Sequence, residues 1–514
     1  MSGSSGRTGT GSLRRFMALG NVLSLLVLVP FHIMKFNQLA SPAWALLLSQ
    51  AAAKPCAEAK IDVDVAIIGG GSAGIHAAIQ LKDAGAKVAV IEKKSQIGGH
   101  AETYINPQTK IPANVGVVLL ENREIVSSYF SRLNVSTIKA NPLTSATAGA
   151  SKSYDFSLGF PIPAQNASAS AAQQQALQAA AQAYSTNVLA KYPWIDQGFL
   201  VPDPVPEELT LPFAELAQKY NFTALLAVIA QFNWWTGDIS TIPALYGIKG
   251  LGPGLLQSLF GEFILSGNGD TRALYDAAAA ELGDSVLLNS DVLKVKRDVK
   301  IDKATTSGVT VLVQQPGQPK KLIRARKLLI AIPPILENVA KYDLSSDEHA
   351  LFSKFSALGY WAGVATIPGL NTSLTNVGVQ TPFNQPVIPG TNGFNTAGSP
   401  NDFLVAVGFQ DTNYTEADAK AVLVKNLATL AAVGAVPKDA AQTVTFPYVS
   451  DHKPYNVRVS TEEIKEGFYG KLLALEGARN TYWAGATFSG HNSALVWSFN
   501  EGTVLPGLKK DLGL

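Results

Sequence analysis

Cysteine is almost missing from this chain: among 514 residues there is one, Cys56. That excludes an intramolecular disulfide and any cysteine-built metal centre, and Cys56 itself reads as incidental. Histidine is scarce too, with six residues. His349 and His452 have no companions at ligand spacing, so no metal is expected. Charge of one sign is also lacking. The formal net charge is +2, but residues 1–54 carry five basic residues (Arg7, Arg14, Arg15, Lys35, Lys54) and no acidic ones; subtracting those five leaves −3 for the remainder. A mildly acidic body without a basic block excludes nucleic acid as an expected partner.

What is present is apolar mass. With 47% hydrophobic residues the chain buries a large core, expected as one intertwined two-domain unit. Residues 1–54 resemble a targeting segment: a Ser/Gly-rich start, Arg14 and Arg15, then the uncharged stretch "FMALGNVLSLLVLVPFHIM" and a second, "LASPAWALLLSQAAA". Small residues at Ala43 and Ala45, or at Ala51 and Ala53, suit signal peptidase, and a secreted protein is expected. The first stretch is close to the roughly 20 residues that span a bilayer, so a retained signal anchor stays open as the alternative, with membrane contact only in that case. The twin-arginine export pattern fits poorly. N-x-S/T sequons at Asn134, Asn166, Asn221, Asn371 and Asn413 suit a glycoprotein of a eukaryotic secretory route.

The chemistry begins at "VAIIGGGSAGIHAAIQLKDAGAKVAVIEKK", residues 65–94. Gly69, Gly71 and Gly74 spell GxGxxG, a dinucleotide turn; Gly70, Ser72 and Gly74 spell GxSxG, a hydrolase elbow with Ser72 as nucleophile and His491 as the best-placed base. Around them "DVDVAII" reads as a buried strand, Ala73, Ala77, Ala78 and Leu81 recur at helical spacing up to Gly85, and "KVAVIE" reads as a second buried strand. A dinucleotide turn requires an acid about 20 residues on, at the end of that second strand, and Glu92 stands there. An elbow gains nothing from Glu92 and normally follows several strands rather than the first. The dinucleotide reading is therefore preferred, with the unpaired N–H groups of a helix starting near Ser72 set against a pyrophosphate.

Further along, the Ala/Gln-rich "ASASAAQQQALQAAAQAY" suggests a helix and "VPDPVPEELTLP" a Pro-rich connection. "NGDTRALYDAAAAELGDSVLLNSDVLKVKRDV" then suggests a capped helix and two strands, and "GVTVLVQQPGQPKKLIRARKLLIAIPP" a hairpin ending in a very apolar strand. The expected architecture is α/β: a Rossmann-like nucleotide domain from 61–118, 267–334 and 470–514, interleaved with an α+β substrate domain from 119–266 and 335–469.

"KKSQIGGHAETY", directly after Glu92, narrows the nucleotide to FAD, because adjacent glycines let the chain pass close beneath a flavin diphosphate. Gly98, Gly99 and His100 stand where flavin amine oxidases and phytoene-desaturase-like enzymes carry Gly-Gly-Arg or a variant. The chain resembles that superfamily over most of its length, and within it the fungal β-cyclopiazonate dehydrogenase-like amine oxidoreductases, through Gly-Gly-His, Glu-Thr-Tyr and "RNTYW". The resemblance implies a two-domain amine-oxidase fold. It implies FAD contacts at Gly69, Gly71, Ser72, Ala73 and Gly74; at Glu92 and Lys93; at Gly98, Gly99 and His100; and at Val115, Gly116 and Val117 of "NVGV". Val292 would meet the adenine, and Gly485, Ala486, Ser493, Ala494 and Leu495 belong to the closing flavin motif. Here Ala486 replaces the acid that many relatives use for the ribityl hydroxyls, leaving Thr487 or Ser493 for them.

The resemblance further implies an FAD-dependent oxidoreductase that takes a hydride from a C–N or activated C–H bond of a small substrate onto flavin N5. A double-bond isomerase and a non-catalytic flavin-binding protein are the alternatives. His100 is either covalently joined to flavin or only hydrogen-bonded to it. His491 either moves a proton or is a loop histidine satisfied by backbone. Trp483 is a candidate catalytic aromatic, and Trp234, Trp235, Tyr482 and Trp497 are candidate pocket walls or core; His76 is expected to be structural.

Overall fold

A computed structural model describes residues 59–141, 151–164, 166–233, 236–301 and 307–514. Residues 1–54, read above as a targeting segment, lie outside the described residues, as do Cys56, Trp234 and Trp235.

The alternation read from residues 65–94 becomes strand β1 (Ala59–Ile68), helix α1 (Ser72–Asp83) and strand β2 (Val88–Ile91). β1 and β2 pair in parallel, which a right-handed helical crossover permits. Both are flanked by further parallel strands: Val286–Leu287 beside β2, and Lys321–Ile330 beside β1. Strands buried on both faces need no polar alternation, and Val65, Ala66, Ile67 and Val90 are wholly buried.

The strand Lys321–Ile330 has two neighbours on its other side. Its first half pairs antiparallel with Ser307–Gln314, which pairs in turn with Asp291–Lys300; its last three residues pair in parallel with Thr481–Trp483. The sheet has seven strands in all. The helix Ala273–Leu282 forms as expected but has no side-chain cap, because Asp270 accepts the Arg272 N–H and the Thr103 hydroxyl instead.

A second, eight-stranded sheet is built from 151–162 and 356–458, with Ser356–Thr366 and Asp402–Phe409 at its centre. The two sheets are joined by β3 (Ala101–Ile105) and β4 (Pro112–Gly116), an antiparallel pair that continues into the short strand β5 (Leu120–Glu121). The Ala/Gln-rich segment is the helix Ala167–Asn187, opened by the Asn166 side chain accepting the Ala169 N–H. Among the described residues no helix is long and apolar enough to cross a membrane.

Candidate active site

The turn between β1 and α1 is shaped by what cannot fit there. Gly69 has φ +105°, and a Cβ on it would lie 2.7 Å from Ile332 Cγ2. A Cβ on Gly74 would collide with the carbonyl oxygen of Gly69, so that glycine seats α1 against the strand. Gly71 is the N-cap of α1; it offers no side chain, and the first turn carries no acid. The helix therefore begins with free N–H groups and an unneutralised dipole at Gly71, Ser72 and Ala73, all of which line one large cavity.

A second glycine turn closes on the first. Gly98 N–H donates to Gly70 O at 2.8 Å, and a Cβ on Gly99 would stand 3.0 Å from Gly71 Cα. Glu92 pins both turns, accepting the Gly70 N–H at Oε2 and the Lys94 N–H at Oε1, each at 2.7 Å. Each carboxylate oxygen keeps a lone pair for a ribose hydroxyl. Ser290 N–H donates to Glu92 O, which brings Val292 to the same end of the cavity.

The hydrolase reading fails on geometry. Ser72 Oγ accepts the Trp497 indole N–H at 3.0 Å, and among the described residues no histidine bonds to it. His76 is buried between Tyr129 and Trp497 and beside Asn500, a structural position in which burial pushes its pKa down to about 3.

The cavity, about 830 Å³, continues from the glycine turns to the second sheet. Ligand pockets run to roughly 1,000 Å³, so it holds a large ligand. Past the turns its wall becomes aromatic. His100 stacks on His452 with ring centroids 4.2 Å apart, Tyr455 packs on His491 at 4.1 Å, and Tyr360 stacks on Tyr455 at 4.8 Å. Gly116, at φ +97°, makes room for the histidine pair: a Cβ there would strike His100 O and approach His452 Cε1 to 2.8 Å. Burial holds all three imidazoles neutral, taking His100 down to about 4 and His491 to about 3, with His452 well below its ordinary value.

His491 Nε2 accepts the Asn456 N–H at 2.9 Å, so the ring proton sits on Nδ1. Backbone thus satisfies one ring nitrogen, while the residue also lines the cavity. Asn492, next to it, caps the helix Ser493–Phe499 by accepting the Ala494 N–H and donates to the buried Glu121 at 2.7 Å. On the same wall Lys249 is buried; its Nζ donates to Ile195 O and Gly198 O, and burial takes its pKa down to about 7.

Most expected contacts line this cavity: Gly69, Gly71, Ser72, Ala73, Glu92, Lys93, Gly98, Gly99, His100, Val115, Gly116, Val117, Val292, Gly485, Ala486, Ser493 and Leu495, and Thr487 with them. Three of the expected residues do not line the cavity. Gly74 packs the helix on Gly69 rather than facing the cavity. Ala494 is buried one residue inside its helix, turned to the core. Trp483 is wholly buried between Phe352 and Phe488, because every side chain of the strand Thr481–Trp483 lies inside the fold. Tyr482 and Trp497 are likewise core residues. The sequence reading passed over Glu121, Lys249, Tyr360, Tyr455, Asn492 and Arg458, and it left His452 without companions.

The fold and the glycine turns define a nucleotide-binding protein with the two-domain architecture of the amine oxidases. The profile described as NAD(P)-binding Rossmann-like domain matches residues 67–133. The FAD-dependent oxidoreductase dpchF of Colletotrichum higginsianum is 67% identical over 481 residues, covering 94% of this chain and 100% of its own. Beta-cyclopiazonate dehydrogenase of Aspergillus oryzae is 32% identical over 445 residues, covering 86% and 92%. Among solved structures, a CLA-producing fatty acid isomerase from P. acnes matches with TM-score 0.66 at 18% identity, covering 86% of this chain and 98% of its own. Putrescine oxidase bound to putrescine matches with TM-score 0.58 at 17% identity, covering 87% and 99%. These two likenesses concern the fold.

The chain belongs to the FAD-dependent oxidoreductase family that includes beta-cyclopiazonate dehydrogenase. FAD is its cofactor, and the residues present fit it: an uncapped helix start for the diphosphate, two glycine turns in contact, and a buried acid with lone pairs to spare.

Proposed function

We propose that this enzyme removes a hydride equivalent from a carbon next to nitrogen, or from another activated C–H bond, of a small organic substrate, and that the oxidised product cyclises where it carries its own nucleophile. The observation that carries this reading is one continuous cavity with a backbone-built nucleotide end and an end walled largely by aromatic rings. FAD, when bound, supplies the two-electron acceptor at N5.

The chain's own residues do the rest. Glycine turns and the α1 N-terminus hold the cofactor's diphosphate. Tyr360, Tyr455 and the His100–His452 pair wall the far end. Lys249 Nζ, poised near neutrality, is a group on that wall able to take or release a proton.

The test is anaerobic mixing of holoenzyme with cyclic and acyclic secondary amines and activated C–H compounds. Loss of the oxidised flavin band, restored by oxygen, is expected. Turnover without an acceptor and without lasting bleaching would select double-bond isomerisation instead.

The enzyme is also proposed to enter the secretory pathway as a glycoprotein. In support, residues 1–54 have the composition of a signal segment, and all five sequon asparagines are exposed. A glycosidase-induced mobility shift and N-terminal sequencing of the exported protein test this; an unshifted protein that keeps Met1 inside the cell refutes it.

A further inference from the structure

Arg458 ends the strand Tyr455–Arg458 and lines the aromatic end of the cavity. One of its nitrogens, Nη1, donates to Thr236 O at 2.7 Å. The guanidinium lies over the Tyr246 ring at 5.9 Å, and Nη2 lies against Gly237, where a Cβ would approach to 2.9 Å. Among the described residues no carboxylate pairs with it within 4.0 Å. Burial pushes its pKa down, and among the described residues the ionisable groups bearing on it are the phenols of Tyr246 and Tyr469.

The other cations on the cavity wall are placed differently: Lys93 and Lys341 are exposed, where water solvates the charge. Lys94 pairs with Glu102 at 2.6 Å, Lys453 pairs with Asp451 at 3.3 Å, and Lys249 is held by two carbonyls near neutrality. Arginine has no such escape, since it does not lose its proton in proteins. A largely desolvated guanidinium without a counter-ion is costly, and a fold that keeps one on a cavity wall leaves its remaining donors for something that enters the cavity.

We propose that Arg458 anchors a carboxylate of the substrate, whose apolar body lies against Tyr246, Tyr360 and Tyr455. The planar fork suits two parallel bonds to a carboxylate, which would fix which C–H bond of the substrate faces the cofactor. This rests on the oxidoreductase reading only in placing the substrate in this cavity.

The experiment titrates FAD holoenzyme with three probes of one shape, 2-naphthoate, 2-naphthamide and 2-naphthylmethylamine, following the visible flavin spectrum. Naphthoate is expected to bind at least about 10-fold more tightly than the amide or the amine, charge-assisted bonds being worth roughly 10- to 150-fold. In Arg458→Met that preference is expected to vanish, with amide affinity and flavin content unchanged; Arg458→Lys is expected to keep part of it. Equal or weaker binding of naphthoate by the wild type overturns the proposal, as does undiminished naphthoate binding by Arg458→Met. Should the Met variant not fold, the wild-type ranking and the Lys variant still decide. Dithionite reduction and oxygen reoxidation of the same samples report separately on the flavin chemistry.

Discussion

Two glycines three residues apart are expected to respond oppositely to the same added methyl group. A Cβ on Gly71 meets only Gly99 Cα, at 3.7 Å, which is ordinary contact, and the residue's φ of −78° suits alanine. Gly71→Ala is therefore expected to leave the apoprotein within about 0.5 kcal/mol of wild type, as an unstrained substitution does. Its methyl nevertheless stands at the helix start that faces the cavity. Moving a diphosphate away from those N–H groups weakens charge-assisted bonds of roughly 1.5–3 kcal/mol each, so FAD affinity is expected to fall at least about 10-fold.

A Cβ on Gly74 collides with Gly69 O, a backbone atom that cannot swing aside. Alanine gains about 1 kcal/mol of helix propensity at that interior position, against an overpacking penalty of about 1–3 kcal/mol or more. A net loss of about 2 kcal/mol or more in the apoprotein is expected from so close a backbone clash, with FAD affinity falling as a consequence. Urea unfolding of both apoproteins and FAD titration by flavin fluorescence separate the two effects. If Gly71→Ala binds FAD as tightly as wild type, the diphosphate does not pass over this turn, and the assignment of the nucleotide end is wrong.

Apoprotein stability is expected to peak near pH 6–7. Burial raises Glu121 and Glu476 to about 8, so the folded state holds protons that the unfolded state releases above about 4.5, and stability from these groups falls as pH rises towards 8. His76, His100 and His491 are depressed to about 3–4, so their contribution is lost as pH falls below about 6.5. Thermal melts from pH 4 to 9 check this, and Glu476→Gln, which keeps an acceptor for the Trp483 N–H, should flatten the alkaline limb; an unchanged limb refutes the assignment. Trp483→Phe is expected to lower stability by about 1–3 kcal/mol and to leave the FAD dissociation constant unchanged; a selective loss of FAD or turnover would return Trp483 to the site. Acid precipitation of holoenzyme is expected to leave yellow FAD in the supernatant, with His100 an ordinary cofactor contact, whereas a yellow pellet would place a covalent bond at that histidine.

The nucleotide end was legible because its chemistry is written in backbone. A phosphate bound by N–H groups demands glycine where chains touch, and a parallel sheet demands unbroken apolar strands, so Gly69, Gly71, Gly98 and Gly99, "VAII" and "KVAVI" declare themselves at short range. Gly74 was legible as a motif member, though only its closeness to Gly69 O in the fold separates a packing glycine from a contact. Trp483 shows the limit: an aromatic residue on a short strand reads alike whether it faces a cavity or a core, and here core packing takes it. His452 had no partner in sequence because its ring neighbours, His100 and Tyr360, lie far away in the chain and meet it only in the folded protein. The sequence did hold one overlooked signal, the alternation in "YNVRV", which sets an arginine at the end of a half-buried strand.

This division has a chemical consequence. The cofactor end is recognised through main-chain groups and missing side chains, so it tolerates little change at its glycines and much change elsewhere. On the proposed reading the substrate end is recognised through side chains of the second sheet and of the segment that returns beside it: Tyr360, His452, Tyr455 and Arg458, all of which line the cavity. A substitution there alters the wall without touching the turns that hold FAD. Replacing Tyr455 by phenylalanine should therefore change which substrates reduce the flavin while leaving flavin content as it was. A Tyr455→Phe protein that loses FAD outright would mean that the two ends are not separable, and that the aromatic wall is part of the cofactor's own seat.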